Sequence, residues 1–198
     1  MKLTSFRQHA RPLALLCLGI PLAALAADQA STASNFNGSR HDARPLVDRV
    51  FEANKKFANI NSILGKYSPW VQATQCVSGP EFGAMGVHFI VPDRVMKDPT
   101  VNPEAPEALI YEPKGHGQWE LVGVEFIVLK DLWEAQDPAP AGPPTLEGHQ
   151  MNYVGFPNRY GLPEFYELHV WAFEQNPVGT FSDWNTRVNC DRQPTPAH

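Results

Sequence analysis

The chain has 198 residues, 43% of them apolar and 19% charged, a balance that fits one globular domain and excludes a disordered tail or a coiled coil. Its formal charge of −5 argues against a nucleic-acid partner, which calls for a basic patch to neutralise phosphates. Nineteen prolines and fourteen glycines imply short elements joined by many turns.

Residues 1–26 have the form of a secretory signal peptide. Lys2, Arg7 and Arg11 make a positive front, Pro12 to Leu25 an apolar stretch, and Ala24-Leu25-Ala26 a small-x-small cleavage site. The stretch is too short for a permanent membrane anchor, so the expected location is periplasmic or secreted. Cleavage leaves 13 basic against 21 acidic residues, a net charge of −8. It also removes Cys17 and leaves two cysteines, Cys76 and Cys190. In an oxidising compartment such a pair reads as a disulfide, the alternative being two separate thiols.

Residues 27–41 are small and polar and read as a flexible leader. A helix is expected from an N-cap at Asp42, with Pro45 in its first turn. Leu46, Val47, Val50, Phe51 and Phe57 share its apolar face, and Glu52–Lys56 is an i,i+4 pair on the other. Ile60, Ile63, Leu64 and Tyr67 continue as a second short helix. From Cys76 onward the pattern is that of strands: residues 86–91, ending at Pro92-Asp93; residues 108–112, ending at Pro113; and residues 119–129, forming a hairpin with the run before. Residues 130–135 read as one helical turn, residues 137–144 as a proline-rich loop, residues 149–154 as a short strand, and Phe165 to Phe173 as a strong strand. The domain is expected over 42–192, with 193–198 as a tail. Helices first and strands afterwards predict an α+β fold. With turns rather than crossover helices between strands, the sheet is expected to be mostly antiparallel, curved or closed into a small β-barrel, with the N-terminal helices on one side.

Side chains alternate between the faces of a strand. In the last strand Tyr166, Leu168 and Val170 share one face, while Glu167 and His169 share the other with Phe165 and Trp171. His88 opposes Val87, Phe89 and Val91. Glu125 opposes Val122, Val124, Phe126 and Val128. Three strands thus each carry an ionisable group inside an apolar run, which is costly unless the groups are paired or liganded. Converging, His88, Glu125 and His169 form a two-histidine, one-carboxylate set suited to a divalent transition metal such as zinc, iron, copper, nickel or manganese. Glu167 and His149 are candidate further ligands or orienting groups. The same residues also suit a satisfied polar network or a metal-free acid/base pair. Arg159 and Tyr160, in a Gly/Pro-bounded loop, are placed to flank a cavity mouth.

The stretches Gly86-Val87-His88-Phe89, Pro106 to Tyr111, Leu121-Val122-Gly123-Val124-Glu125, Pro163 to Trp171 and Asn176 to Asn185, with Cys190, resemble a group of uncharacterised exported bacterial proteins. The likeness covers roughly residues 70–190. It implies export and a single domain, and no activity. The functional expectation is an exported domain that binds a metal ion or small molecule, as a metal-binding protein or metal-dependent enzyme. A non-catalytic binder of a small apolar or aromatic ligand, or a structural, partner-binding domain, is the alternative.

Overall fold

The computed structural model describes residues 45–79 and 81–193, all within one compact unit. The signal peptide, the leader, Asp42 and residues 194–198 of the tail lie outside them.

Helix α1 (Leu46–Asn54) starts just after Pro45 and runs on into a 3-10 turn, Lys55–Phe57. Leu46 and Val50 are buried, with Val47 and Phe57 packed beside them. Phe51 lies half-exposed at the rim, its ring 5.1 Å from that of Phe173. The expected Glu52–Lys56 pair is replaced by Glu52–Lys55 at 2.6 Å. The second helix is shorter than expected, a single 3-10 turn at Ile60–Ser62.

The strands are β1 (Val71–Gln72), β2 (Val77–Gly79), β3 (Gly83–Ile90), β4 (Ala108–Gly115), β5 (Gln118–Leu129), β6 (Thr145–Leu146), β7 (His149–Gln150), β8 (Asn152–Val154) and β9 (Phe165–Val170). Two short helices interrupt them, α2 (Pro92–Lys97) after β3 and α3 (Lys130–Glu134) after β5. The main sheet runs β1-β3-β4-β5-β9-β8, with β2 on the same edge of β3 as β1. Every pairing in it is antiparallel. The sheet does not close into a barrel: its path ends at β1 and β8, which have two and three residues. Edges so short have too few free backbone groups to continue a ladder.

One face of the sheet carries the main core. Val87, Phe89, Leu109, Tyr111, Val124, Phe126, Tyr166, Leu168 and Val170 pack there with Leu46, Val50, Ile60 and Ile63 from the N-terminal helical segment. The Tyr111 hydroxyl donates to the Phe57 carbonyl at 2.7 Å and fixes the helix end to the sheet. One expected core residue sits elsewhere. A bulge between Ile110 and Tyr111 pairs Ile110 with Gly123 but Tyr111 with Leu121. The extra residue, Val122, therefore joins Ile110 and Trp171 in a second cluster, and Leu121 takes the core face.

The opposite face is covered by α2, the loop around Tyr160 and the C-terminal tail. The tail is held by exchange of backbone hydrogen bonds between Ala84 and Asn185, both 3.1 Å. Gly83 allows this approach: it has φ +84°, and a Cβ there would lie 2.1 Å from the Asn185 carbonyl oxygen. The Cys76–Cys190 disulfide closes a 114-residue separation and ties the tail to the segment leading into β2.

Candidate metal centre

The site grows from register. Across β5 and β9, Glu125 pairs with His169 and Ile127 with Glu167. On the other side of β5, Glu125 pairs with Ala108 of β4, which pairs with Ile90 of β3. His88 lies one row over, opposite Ile110. His88 and Glu125 thus come from strands separated by the whole of β4, and the diagonal between them crosses β4 between Ala108, in the row of Glu125, and Ile110, in the row of His88. Across that gap His88 Nε2 lies 3.4 Å from Glu125 Oε2. One ligand atom each from His88, Glu125 and His169 falls within a group spanning 4.8 Å, close to the separations of about 3–4.5 Å that a shared ion at about 2 Å from each ligand demands.

The group is deeply buried: His169 is 0%, His88 2% and Glu125 3% exposed. Burial disfavours the charged forms. It lowers the His88 imidazolium to about 4 and that of His169 to about 3, where the neighbouring His88 adds a smaller push. Both rings are therefore neutral near pH 7, the form that ligates a metal. Burial likewise pushes Glu125 well above the usual carboxylate range, reinforced by the charge of Glu167. Glu167 is raised by burial and relieved by its hydrogen bond with Glu125.

Hydrogen bonding marks the same place. Among the described residues, five buried side-chain atoms have no hydrogen-bond partner, and four belong to this cluster: His88 Nε2, Glu167 Oε2 and both nitrogens of His169. Unpaired buried polar atoms each cost about 1–3 kcal/mol, and a bound ion is one way of satisfying such a group. On the far side of its ring, His88 Nδ1 lies 3.2 Å from Thr74 Oγ1, which also accepts the His88 backbone N–H at 3.0 Å. With the ring proton on Nδ1, donated to Thr74, the Nε2 lone pair faces the cluster.

A cleft of about 430 Å³ opens onto His88 and Glu125, within the range of small-ligand sites. Its walls are largely apolar, with Ile90, Val95, Ile127 and Phe165, and Arg159 and Tyr160 line it as expected. The Arg159 guanidinium lies 5.3 Å over the Trp184 ring.

No protein-family model, curated protein or solved structure matches the chain. What the centre can do is decided by its own ligand set.

Of the sequence-derived candidates, His88, Glu125, His169 and Glu167 come together. His149 does not. It sits in the separate β6–β7 ribbon, its ring 4.0 Å from that of Phe181, and belongs to neither ligand group found among the described residues. That ribbon packs through Leu146 on the main core, on the other face of the sheet from the cluster. Asp183 and Thr74 are neighbours of the site that sequence reasoning did not single out. Both lie in irregular segments, where no alternation assigns a face. The only hint for Asp183 is its place in the stretch Phe181 to Asn185.

A buried His/Glu/His group able to hold a metal ion is thus present. So is the Cys76–Cys190 disulfide, and no described helix is long and apolar enough to cross a membrane.

Proposed function

We propose that this is an exported metal-binding protein in which His88, Glu125 and His169 hold a divalent transition ion at the end of the cleft. The supporting observation is the convergence of three buried ligand side chains from three antiparallel strands, with His88 Nε2 and both His169 nitrogens left without a hydrogen-bond partner. Two imidazoles and a carboxylate suit zinc, iron, copper, nickel or manganese. A bound ion would supply Lewis acidity toward a small molecule in the cleft, which His88 and Glu125 line. Within the chain, Thr74 orients His88, and Ile90, Val95, Ile127 and Phe165 offer apolar wall to a small ligand. The signal-like N-terminus, the disulfide and the resemblance to exported proteins support a periplasmic or secreted location.

Elemental analysis of the untagged protein tests this reading. About one equivalent of metal or more is expected, with His169→Ala removing the ion held by His88 and Glu125. Substoichiometric metal that His169→Ala leaves unchanged would overturn it. The cleft favours a second reading, a metal-independent binder of a small apolar or aromatic ligand. In that case ligand binding persists unchanged after treatment with a chelator.

A further inference from the structure

The imidazole of His169 is fully buried, and neither of its nitrogens has a hydrogen-bond partner. An ion shared with His88 and Glu125 satisfies one nitrogen only. Nδ1 lies 3.9 Å from Asp183 Oδ1, beyond hydrogen-bond range. Glu167, 4% exposed, has its Oε2 buried and unpartnered beside it. Ligand atoms of Glu167, His169 and Asp183 form a second group within 4.8 Å of one another.

We propose that the centre is dinuclear, with a second divalent cation held by Glu167, His169 and Asp183 and with His169 shared between the two ions. This rests on the metal-binding reading of His88, Glu125 and His169. When both ions bind, the shared ring gives up its remaining N–H proton to solvent. Each carboxyl group that binds an ion does so as the carboxylate and releases any proton it carries.

Charge points the same way. Glu125, Glu167 and Asp183 put three carboxylates around one imidazole. Two divalent ions balance three carboxylates and the deprotonated imidazole that they share. The second position also has its own approach. Asp183 is 34% exposed at its side chain and lines a different cleft, of about 370 Å³. Asn152 Nδ2 lies in that cleft and donates to Asp183 Oδ1 at 3.1 Å, holding the carboxylate in place.

The test is a titration of the untagged, chelator-stripped full chain with Co²⁺ and then Zn²⁺. Ions per chain are counted by elemental analysis after desalting, and proton release is read from calorimetry in buffers of different ionisation enthalpy. Two ions per chain are expected, falling to one in Asp183→Asn, with the remaining ion lost when His88→Gln is added. One ion per chain in the parent, lost in His88→Gln, overturns the dinuclear centre and leaves the proposed function standing. No ion in the parent overturns both. Two ions retained in Asp183→Asn remove Asp183 from the second position and overturn the proposal as stated. Circular dichroism and the thermal transition report folding of each variant. Should Asp183→Asn not fold, the parent stoichiometry decides alone.

Discussion

Between His88 and Glu125 runs an entire strand, and the two side chains meet on a diagonal past Ile110, with the small Ala108 beside Glu125 leaving room. Ala108 is completely buried and packs with Ile127 and Phe165. Ala108→Leu would place an isobutyl group into the path between the two ligands. Overpacking of this kind costs about 1–3 kcal/mol of stability. Displacing a ligand by a fraction of an ångström is expected to weaken metal binding by roughly 10-fold or more, in the range known for lost supporting contacts. Urea unfolding and metal titration read the two effects separately. Parent-like metal affinity in folded Ala108→Leu would show that the ligands do not meet across β4. His169 shows the same dependence on neighbours. Its position in an alternating strand says that it shares a face with Glu167, but not that Asp183 approaches from the tail.

At the scale of elements, the long strands are legible because alternation persists over five or more residues. Residues 86–91, 108–112, 119–129 and 165–173 all hold strands, but β3 begins three residues earlier, β9 ends three residues sooner, and β4 does not stop at Pro113 but runs through it to Gly115. The two- and three-residue strands β1, β2 and β6 carry no periodicity to read. Pro92-Asp93 ends β3 as expected, and the same residues begin α2, since proline is tolerated in a helix's first turn. Hairpin β4–β5 is extended by a side chain. Glu107, just before β4, accepts the Ile127 backbone N–H of β5 at 3.0 Å. Burial, the dominant cause, pushes its carboxyl up to about 8. The folded chain therefore keeps a proton that the unfolded chain releases near pH 4.5. The stabilisation is full below pH 4.5 and is lost as pH rises through about 8. Glu107→Gln keeps a carbonyl acceptor and has no proton to lose. The variant is expected to match the parent near pH 4.5 and to exceed it by a few kcal/mol, on the order set by about 1.4 kcal/mol per pKa unit, above pH 8. Urea midpoints of both proteins across that window check this, and parallel curves would refute it.

For the whole molecule, the disulfide is the longest-range constraint. Loop entropy for a closure of roughly 100 residues is worth about 4–5 kcal/mol, so replacing Cys76 and Cys190 together by serine should lower unfolding free energy by about that amount. The loss is measured by urea unfolding under non-reducing conditions, and an unchanged midpoint would mean that the tail is held by its other contacts. Those include the Ala84–Asn185 exchange and the acceptance by Glu112 Oε1 of the Asn189 side-chain N–H at 2.7 Å. The sequence by itself determined the α+β class, the antiparallel pairing, the paired cysteines and the sorting of His88, Glu125, Glu167 and His169 away from the main core. Period-two alternation and the number of cysteines are local or countable properties. The open sheet, the change of face at Val122, the place of His149 in another ribbon and the approach of Asp183 to within 3.9 Å of His169 emerge only from the folded chain. Each of these depends on strand register or on the path of an irregular segment, and both are set by packing between residues far apart in the chain.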